Sequence, residues 1–440
     1  MFGKNNIKYI LILFFGFFWC SSLYLTQEQF LLGYADVDFV NVAELLFGSL
    51  SMALGILIFG FLYRNNKNVR MYYTIFMLLS IVCAISFFAT NNKYIMAIFL
   101  SLTCFFGTAG FGAGYHFSLL ASRVEKEFRG RVFAIGYGLG SIGTYLMVLL
   151  PESFYSSISS LIIYVPVILI NLYLVLKKSD LMKLERGNKQ VCFKNYFFRL
   201  SIIVLAMSLL SALSTDAISI HTINIVGGYG DSRLYYCLGL LIAGIMVDKK
   251  NNVFEIVTIS SFVFSLLAII LLKDGYSISI IAGLSYSFVA FFVLFRTMTF
   301  VNISDNYKNM VWVSAFGLMY SRIMEGIMVL FEDQLINDYT ILIIVITIVL
   351  SLVIVLYFLL YFQNNKLSED DTIKALVIKY NLSSQEEKVL SLLLLDKNNQ
   401  EIADELYLSV NTIKNHIASI YKKTGMKKKD LKEKYYYRTN

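Results

Sequence analysis

The chain has 440 residues, of which 57% are hydrophobic, 15% aromatic and 15% charged, with two prolines and a formal net charge of +8. So small a charged share excludes an ordinary soluble enzyme, where about a quarter of residues carry charge. A mean hydropathy of +0.65 and the wealth of aromatic residues exclude a disordered or low-complexity chain. The five cysteines, Cys20, Cys83, Cys104, Cys192 and Cys237, form no C-x-x-C pair, and four lie in apolar runs where a thiol acts as a small hydrophobe. No disulfide, metal site or cofactor is expected.

A helix needs roughly 20 mainly apolar residues to cross the hydrocarbon core, where no water is present to satisfy an exposed backbone. That ruler predicts six spans at about 7–26, 39–63, 70–90, 94–121, 132–150 and 157–176. After the polar stretch from Lys177 to Arg199, six more follow at about 200–220, 231–247, 253–272, 275–295, 311–331 and 338–362. The first run is preceded by Lys4 and Lys8, as a signal peptide would be, but Trp19 stands where a cleavage site needs a small residue. Lysine and arginine test the topology, because they collect in short cytoplasmic loops. With the N-terminus inside, the inner loops hold twenty of them and the outer loops three: Lys93, Arg233 and Lys273. The inner set includes Arg123, Lys126, Arg129 and Arg131 between spans four and five, the central loop, and Arg296 with Lys308 after span ten. An even number of spans returns the remainder of the chain to the cytoplasm.

From Gln363 the composition changes: residues 363–440 hold 14 Lys or Arg and 11 Asp or Glu, with apolar residues at helical spacing. Ser368 and Asp371 predict a short helix over about 369–380, carrying Ile373, Leu376, Val377 and Tyr380 inward. Ser383 with Glu386 forms a capping box that opens a second helix, with Val389, Leu390, Leu393 and Leu394 buried. Asn398 and Glu401 open a third, with Ile402, Ala403 and Leu406 inward. Ser409 starts a fourth, which buries Ile413, Ile417, Ile420 and Tyr421 and turns Thr412, Lys414, Asn415, Lys422 and Lys423 outward. Two short helices joined by three or four residues, the second polar and basic outside, make a helix-turn-helix.

The run Leu382-Ser383-Ser384-Gln385-Glu386, Val389-Leu390, Asn399-Gln400-Glu401-Ile402-Ala403, Thr412-Ile413-Lys414-Asn415-His416-Ile417 and Ile420-Tyr421-Lys422-Lys423-Thr424-Gly425-Met426 resembles the LuxR-type DNA-binding domain. The resemblance places Lys414, Asn415 and Ala418 over base edges in the major groove, and Thr412, His416 and Lys422 near phosphates. It implies pairing on DNA through a last helix at about 428–436, with Leu431, Tyr435 and Tyr436, because one recognition helix reads one half-site. Lys388 and Asp396 depart from the family, which usually has an acid and a glycine there. At Asp396 a left-handed backbone is expected, at a small cost in stability and with no loss of fold.

Six spans, a basic loop and six more resemble the major facilitator superfamily, whose signature loop lies between spans two and three and again between eight and nine. Gly60-Phe61-Leu62-Tyr63-Arg64 lacks the expected acid, whereas Gly244-Ile245-Met246-Val247-Asp248-Lys249 keeps the Gly, Asp and Lys. Loss of the first copy weakens the case for active transport. Glycines four apart, as at Gly110 and Gly114 or Gly136 and Gly140, favour close helix packing. The stretch Gly107 to Gly114 lies within a span, so it cannot cradle a phosphate as a loop would.

Ionisable groups in lipid are costly and are candidate sites. Arg322 and Glu325 share one face of span eleven, either as a ligand clamp or as a self-neutralising pair. Glu44, Asp216 and His116 are further candidates, each with a structural alternative. No Walker A loop, G-x-S-x-G elbow or clustered metal ligand points to an enzyme.

The expectation is therefore an all-α protein: a six-plus-six transmembrane bundle with a C-terminal four-helix LuxR-type domain. The predicted parts are residues 1–176, the central loop 177–199, residues 200–362, a linker with a short helix over 363–381, and the DNA-binding domain 382–440. Its partners would be the lipid bilayer, promoter DNA and a small molecule sensed by Arg322, Glu325, Glu44 and Asp216, in a bacterial inner membrane with both termini cytoplasmic. The alternative is a secondary transporter with a regulatory DNA-binding tail.

Overall fold

The structure, a computed structural model, describes residues 4–65, 68–177, 193–226, 230–249, 253–273, 278–303, 310–331 and 339–431. It divides into two compact units, Met1–Val353 and Ile354–Asn440. Among the described residues all regular structure is helical. Each expected span is occupied by a helix: α1 (Lys4–Leu32), α2 (Val37–Arg64), α3 (Val69–Phe88), α4 (Lys93–Arg123), α5 (Arg129–Val148), α6 (Leu161–Leu176), α7 (Phe193–Val226), α8 (Gly230–Val247), α9 (Val253–Lys273), α10 (Ile278–Val301), α11 (Phe316–Met328) and α12 (Tyr339–Tyr380).

Four boundaries differ from expectation. Helix α7 starts at Phe193, so Phe193 to Arg199 are helical and not part of the central loop; residues 178–192 lie outside the described residues. Helix α12 continues to Tyr380 instead of restarting near Ser368, because neither glycine nor proline interrupts the run between Gln363 and Asp371. Helix α10 reaches Val301 and carries Arg296, expected in a cytoplasmic loop, into the bundle, where it is only 6% exposed. Finally, α4 is broken. Its first segment stops at Phe106 and the second starts at Phe111. A Cβ on Gly107 would lie 2.5 Å from the Thr103 carbonyl oxygen, and one on Gly110 would lie 2.4 Å from that of Cys104. Irregular backbone at this depth survives because protein buries it, and Thr108 Oγ1 donates to the Gly16 carbonyl across the gap, at 2.5 Å.

Contacts between the two halves follow one rule. Helix α2 packs on α11, and α8 packs on α5; exchanging the halves, so that the second helix becomes the eighth and the eleventh becomes the fifth, turns the first pair into the second. At the α5–α8 contact the surviving acid of the signature loop has a clear task. The Asp248 carboxylate accepts from the backbone N–H groups of Gly130 (2.8 Å) and Arg131 (3.1 Å) and from Arg131 Nε (2.8 Å). It thereby caps the positive N-terminal end of α5 from the opposite half. Close approach is obligatory, since a Cβ on Gly130 would meet Val247 at 2.1 Å. At the equivalent α2–α11 contact no acid plays this part among the described residues. Gly60 instead faces the Trp312 ring, and the Arg64 guanidinium lies 6.0 Å from that ring's centroid.

Asp248→Ala is expected to lower the stability of the purified protein by about 2 kcal/mol, because three part-buried donors lose a charged acceptor. Arg64→Ala, which removes only an exposed cation–π contact, is expected to cost about 0.5 kcal/mol. Unfolding in neutral detergent compares the two; equal losses would contradict this asymmetry.

Candidate functional site

The C-terminal unit continues with α13 (Ser384–Leu394), α14 (Asn399–Leu406), α15 (Val410–Thr424) and α16 (Lys428–Leu431). Both expected capping boxes form. Ser383 Oγ accepts from the Glu386 N–H (3.3 Å) while the Glu386 carboxylate accepts from that of Ser383 (2.6 Å). Asn398 Oδ1 accepts from the Glu401 N–H (2.9 Å), and Glu401 accepts in return at 2.7 Å. Ser409 Oγ caps α15 through the Thr412 N–H at 3.1 Å. Helix α14 ends at Tyr407, whose φ is +54°, so the chain reverses within three residues and α15 lies across α13 and α14.

The apolar stripe read from sequence is the core: Val389, Leu390, Ile402, Ile413 and Ile420 are fully buried, with Leu376 of α12 and Leu431 of α16 packed on them. Asp396 takes the left-handed conformation expected of it, with φ +66°, and its carboxylate meets Lys428 at 3.1 Å. Tyr435 and Tyr436 lie outside the described residues.

Burial of one face leaves the other to solvent. Lys414, Asn415, Ala418 and Lys422 are exposed along α15, and Thr412 and His416 are half-buried at its edge. The Thr412 hydroxyl shares a hydrogen bond with Ser409 (2.8 Å), so it belongs partly to the cap. Beside Lys414 and Ala418 runs a groove of about 520 Å³ that Lys397, Asn398, Asn399 and Lys428 also line. Lys397 and Lys428 escaped the sequence reading because they lie outside the recognition helix. The signal available was their position, one at the start of α14 and the other in α16.

Glu386 does more than cap. It is 4% exposed, and its carboxylate also accepts from Ser419 Oγ (2.6 Å) and Lys423 Nζ (2.7 Å), tying α13 to α15. Burial opposes its charge, but the donors on Lys423, Ser419 and Ser383 outweigh burial and hold its pKa at about 2.

In the membrane unit, Arg322 Nη1 donates to Glu325 Oε2 at 2.5 Å, and Ser321 Oγ reaches the other oxygen at 3.2 Å. Glu44 sits in a π-helical turn, Val42–Gly48, inside α2; it is 4% exposed, and its Oε1 has no hydrogen-bond partner. The Asp216 side chain lies outside the described residues. His116 is a satisfied core residue, since Nε2 pairs with the Tyr73 hydroxyl at 2.8 Å, which in turn donates to Asn171.

Residues 380–430 match the family described as bacterial regulatory proteins, luxR family. Over 46 residues the chain is 44% identical to the spore germination protein GerE of Bacillus subtilis (strain 168); the match covers 10% of this chain and 62% of that protein. The chain thus spans less than two thirds of that relative's length. The overall fold is similar to the Escherichia coli fucose:proton symporter FucP, with a TM-score of 0.55, 12% identity, and 80% of this chain and 98% of that chain covered. It is similar also to the human organic anion transporter MFSD10, with a TM-score of 0.60, 11% identity and coverage of 80% and 99%. At these identities the likeness is one of fold.

Two outcomes are expected for the C-terminal unit. The folded-state pKa of Glu386 is depressed, so its contribution to stability is complete above its usual 4.5 and is lost as pH falls toward 2. The protection factors of α13 and α15, from hydrogen exchange of the intact protein referred to the intrinsic rate at each pH, are expected to fall across that window, and Glu386→Gln is expected to flatten the dependence. Asp396→Gly is expected to stabilise the unit by about 0.5 kcal/mol, because relief of a left-handed Asp exceeds the worth of an exposed ion pair; slower exchange of α13 checks it.

Proposed function

We propose, from the premise that residues 380–430 belong to the luxR family of bacterial regulatory proteins and the rest of the chain folds as a major-facilitator-type bundle, that this protein is a membrane-embedded, one-component transcriptional regulator. The observation that carries the reading is the exposed face of α15: Lys414, Asn415 and Ala418 stand free on a helix whose opposite face is the core of a complete helix-turn-helix. A helix of this size enters the major groove, where the base edges differ. Lys414, Asn415 and Ala418 would meet the bases, while Thr412, His416 and Lys422 would approach phosphates and make affinity salt-dependent. The protein would act as a homodimer on promoter DNA, since one recognition helix covers one half-site.

The charge distribution supports a bacterial inner-membrane location with both termini in the cytoplasm, so that DNA comes to the membrane. The bundle would sense a small molecule near Arg322, Glu325, Glu44 and Asp216. A ligand acts by binding one packing of the helices more tightly than another, and this difference would alter the pairing or presentation of the DNA-binding domains.

The test is to crosslink the full-length protein to the chromosome in living cells, beside a Lys414→Glu, Asn415→Ala control. Discrete sites upstream of a few operons, absent in the control, are expected. Enrichment no greater than the control would overturn the regulator and move the transport reading to first place.

A further inference from the structure

A buried guanidinium without an acceptor is among the costliest arrangements a membrane protein can hold. Arg296, on α10, is 94% buried by the complement of its 6% exposure, and its Nε and Nη1 have no hydrogen-bond partner. The Phe292 ring lies against it, with the guanidinium carbon 5.7 Å from the centroid. A cation–π contact replaces only part of the hydration that a buried guanidinium gives up. Arg322, on α11, adds another orphan: Glu325 and its Nη1 are paired, but its Nε is buried without a partner.

The two arginines are electrostatic neighbours. Arg296 is within electrostatic reach of Arg322, Glu325, Tyr236 and Tyr137, and Gly317 of α11 packs against the Arg296 backbone so closely that a Cβ would lie 2.2 Å from its carbonyl oxygen. Tyr137 of α5 and Tyr236 of α8 flank Phe17 of α1, with ring centroids 4.4 Å and 6.5 Å away. Both tyrosines are half-buried. Although Arg322 and Glu325 lie mid-span, their side chains keep 29% and 26% exposure. Two guanidiniums and one carboxylate, all from α10 and α11 of the second half, therefore share a region with Tyr137 of the first half, and three buried guanidinium nitrogens there have no acceptor.

We propose that the centre of the bundle is a binding site for a small oxyanion, a carboxylate or phosphate group, held between Arg296 and Arg322. The guanidinium fork matches both anions. A single negative charge balances the excess positive one, and oxyanion lone pairs meet the orphaned donors. The phenol groups of Tyr137 and Tyr236 supply further donors at the wall. This site deepens the sensing role proposed above and rests on it for its regulatory meaning, but not for binding itself.

The test measures thermal unfolding of the full-length protein in neutral detergent and chloride buffer at constant ionic strength. Succinate, glucose 6-phosphate and inorganic phosphate separate the carboxylate from the phosphate source, and glucose is the uncharged control. At least one anion is expected to raise the midpoint saturably by about 2 °C or more, and glucose to leave it unchanged. Arg296→Met is expected to abolish that rise and to melt higher than the parent without anion, because it removes an uncompensated buried charge. Arg296→Lys keeps the charge and is expected to retain a smaller rise. A structural arginine would do the reverse: Arg296→Met melting lower, or an anion shift that survives it, overturns the proposal, as does the absence of a saturable shift with all three anions. Chromosome crosslinking separates the two readings. Promoter occupancy without an anion shift sinks the site alone; an anion shift without promoter occupancy sinks the regulator alone.

Discussion

Helix α5 can touch both halves of the bundle only because its contact faces carry almost no side chain. Toward α1 it presents Gly136 and Gly140, where a Cβ would fall 2.6 Å from Leu13 and 2.8 Å from Phe17. Toward α8 it presents Gly130, Ala134 and Gly138, the last set against Cys237 at 3.0 Å. In lipid no hydrophobic effect draws helices together, so contact of this kind must come from close van der Waals approach. The spacing admits the Asp248 carboxylate to the α5 N-terminus, and it brings Tyr137 and Tyr236 to either side of Phe17. Two polar features of the bundle thus depend on the absence of Cβ atoms along one helix.

The two contacts between halves are equivalent by position but not by chemistry. One retains an acid on a helix end, a charged, buried and directional interaction; the other is an arginine lying over a tryptophan. The two places where the halves meet therefore differ in strength and in directionality.

The C-terminal unit is stabilised by different physics. Its core is a conventional apolar cluster, its helix ends are closed by serine and asparagine side chains, and Glu386 joins two helices by charge-assisted hydrogen bonds that burial strengthens. Lys414, Asn415 and Ala418 supply none of these caps or bonds, although the capping Asn398 lines the groove beside Lys414 and Ala418.

Legible in the sequence were the long apolar helices, the helix-turn-helix, its apolar stripe and its capping boxes. These features are written in local periodicity, 3.6 residues per turn or a run of about 20, and a short window contains all the information needed. Glu386 was legible as a cap because its partner is three residues away, but its bonds to Ser419 and Lys423 were not, being more than thirty residues distant. The break in α4 was missed for a related reason: glycine permits a helix in a close-packed bundle as readily as it permits a break, and the neighbours at Gly55 and Gly16 decide. Arg296 was read as a loop residue because composition blurs where a helix leaves lipid, and charge near a span end looks the same whether it points to water or to another helix. Its burial against Phe292 follows from packing, since the energy of a charge inside the bundle depends on what surrounds it in space and not on its neighbours along the chain.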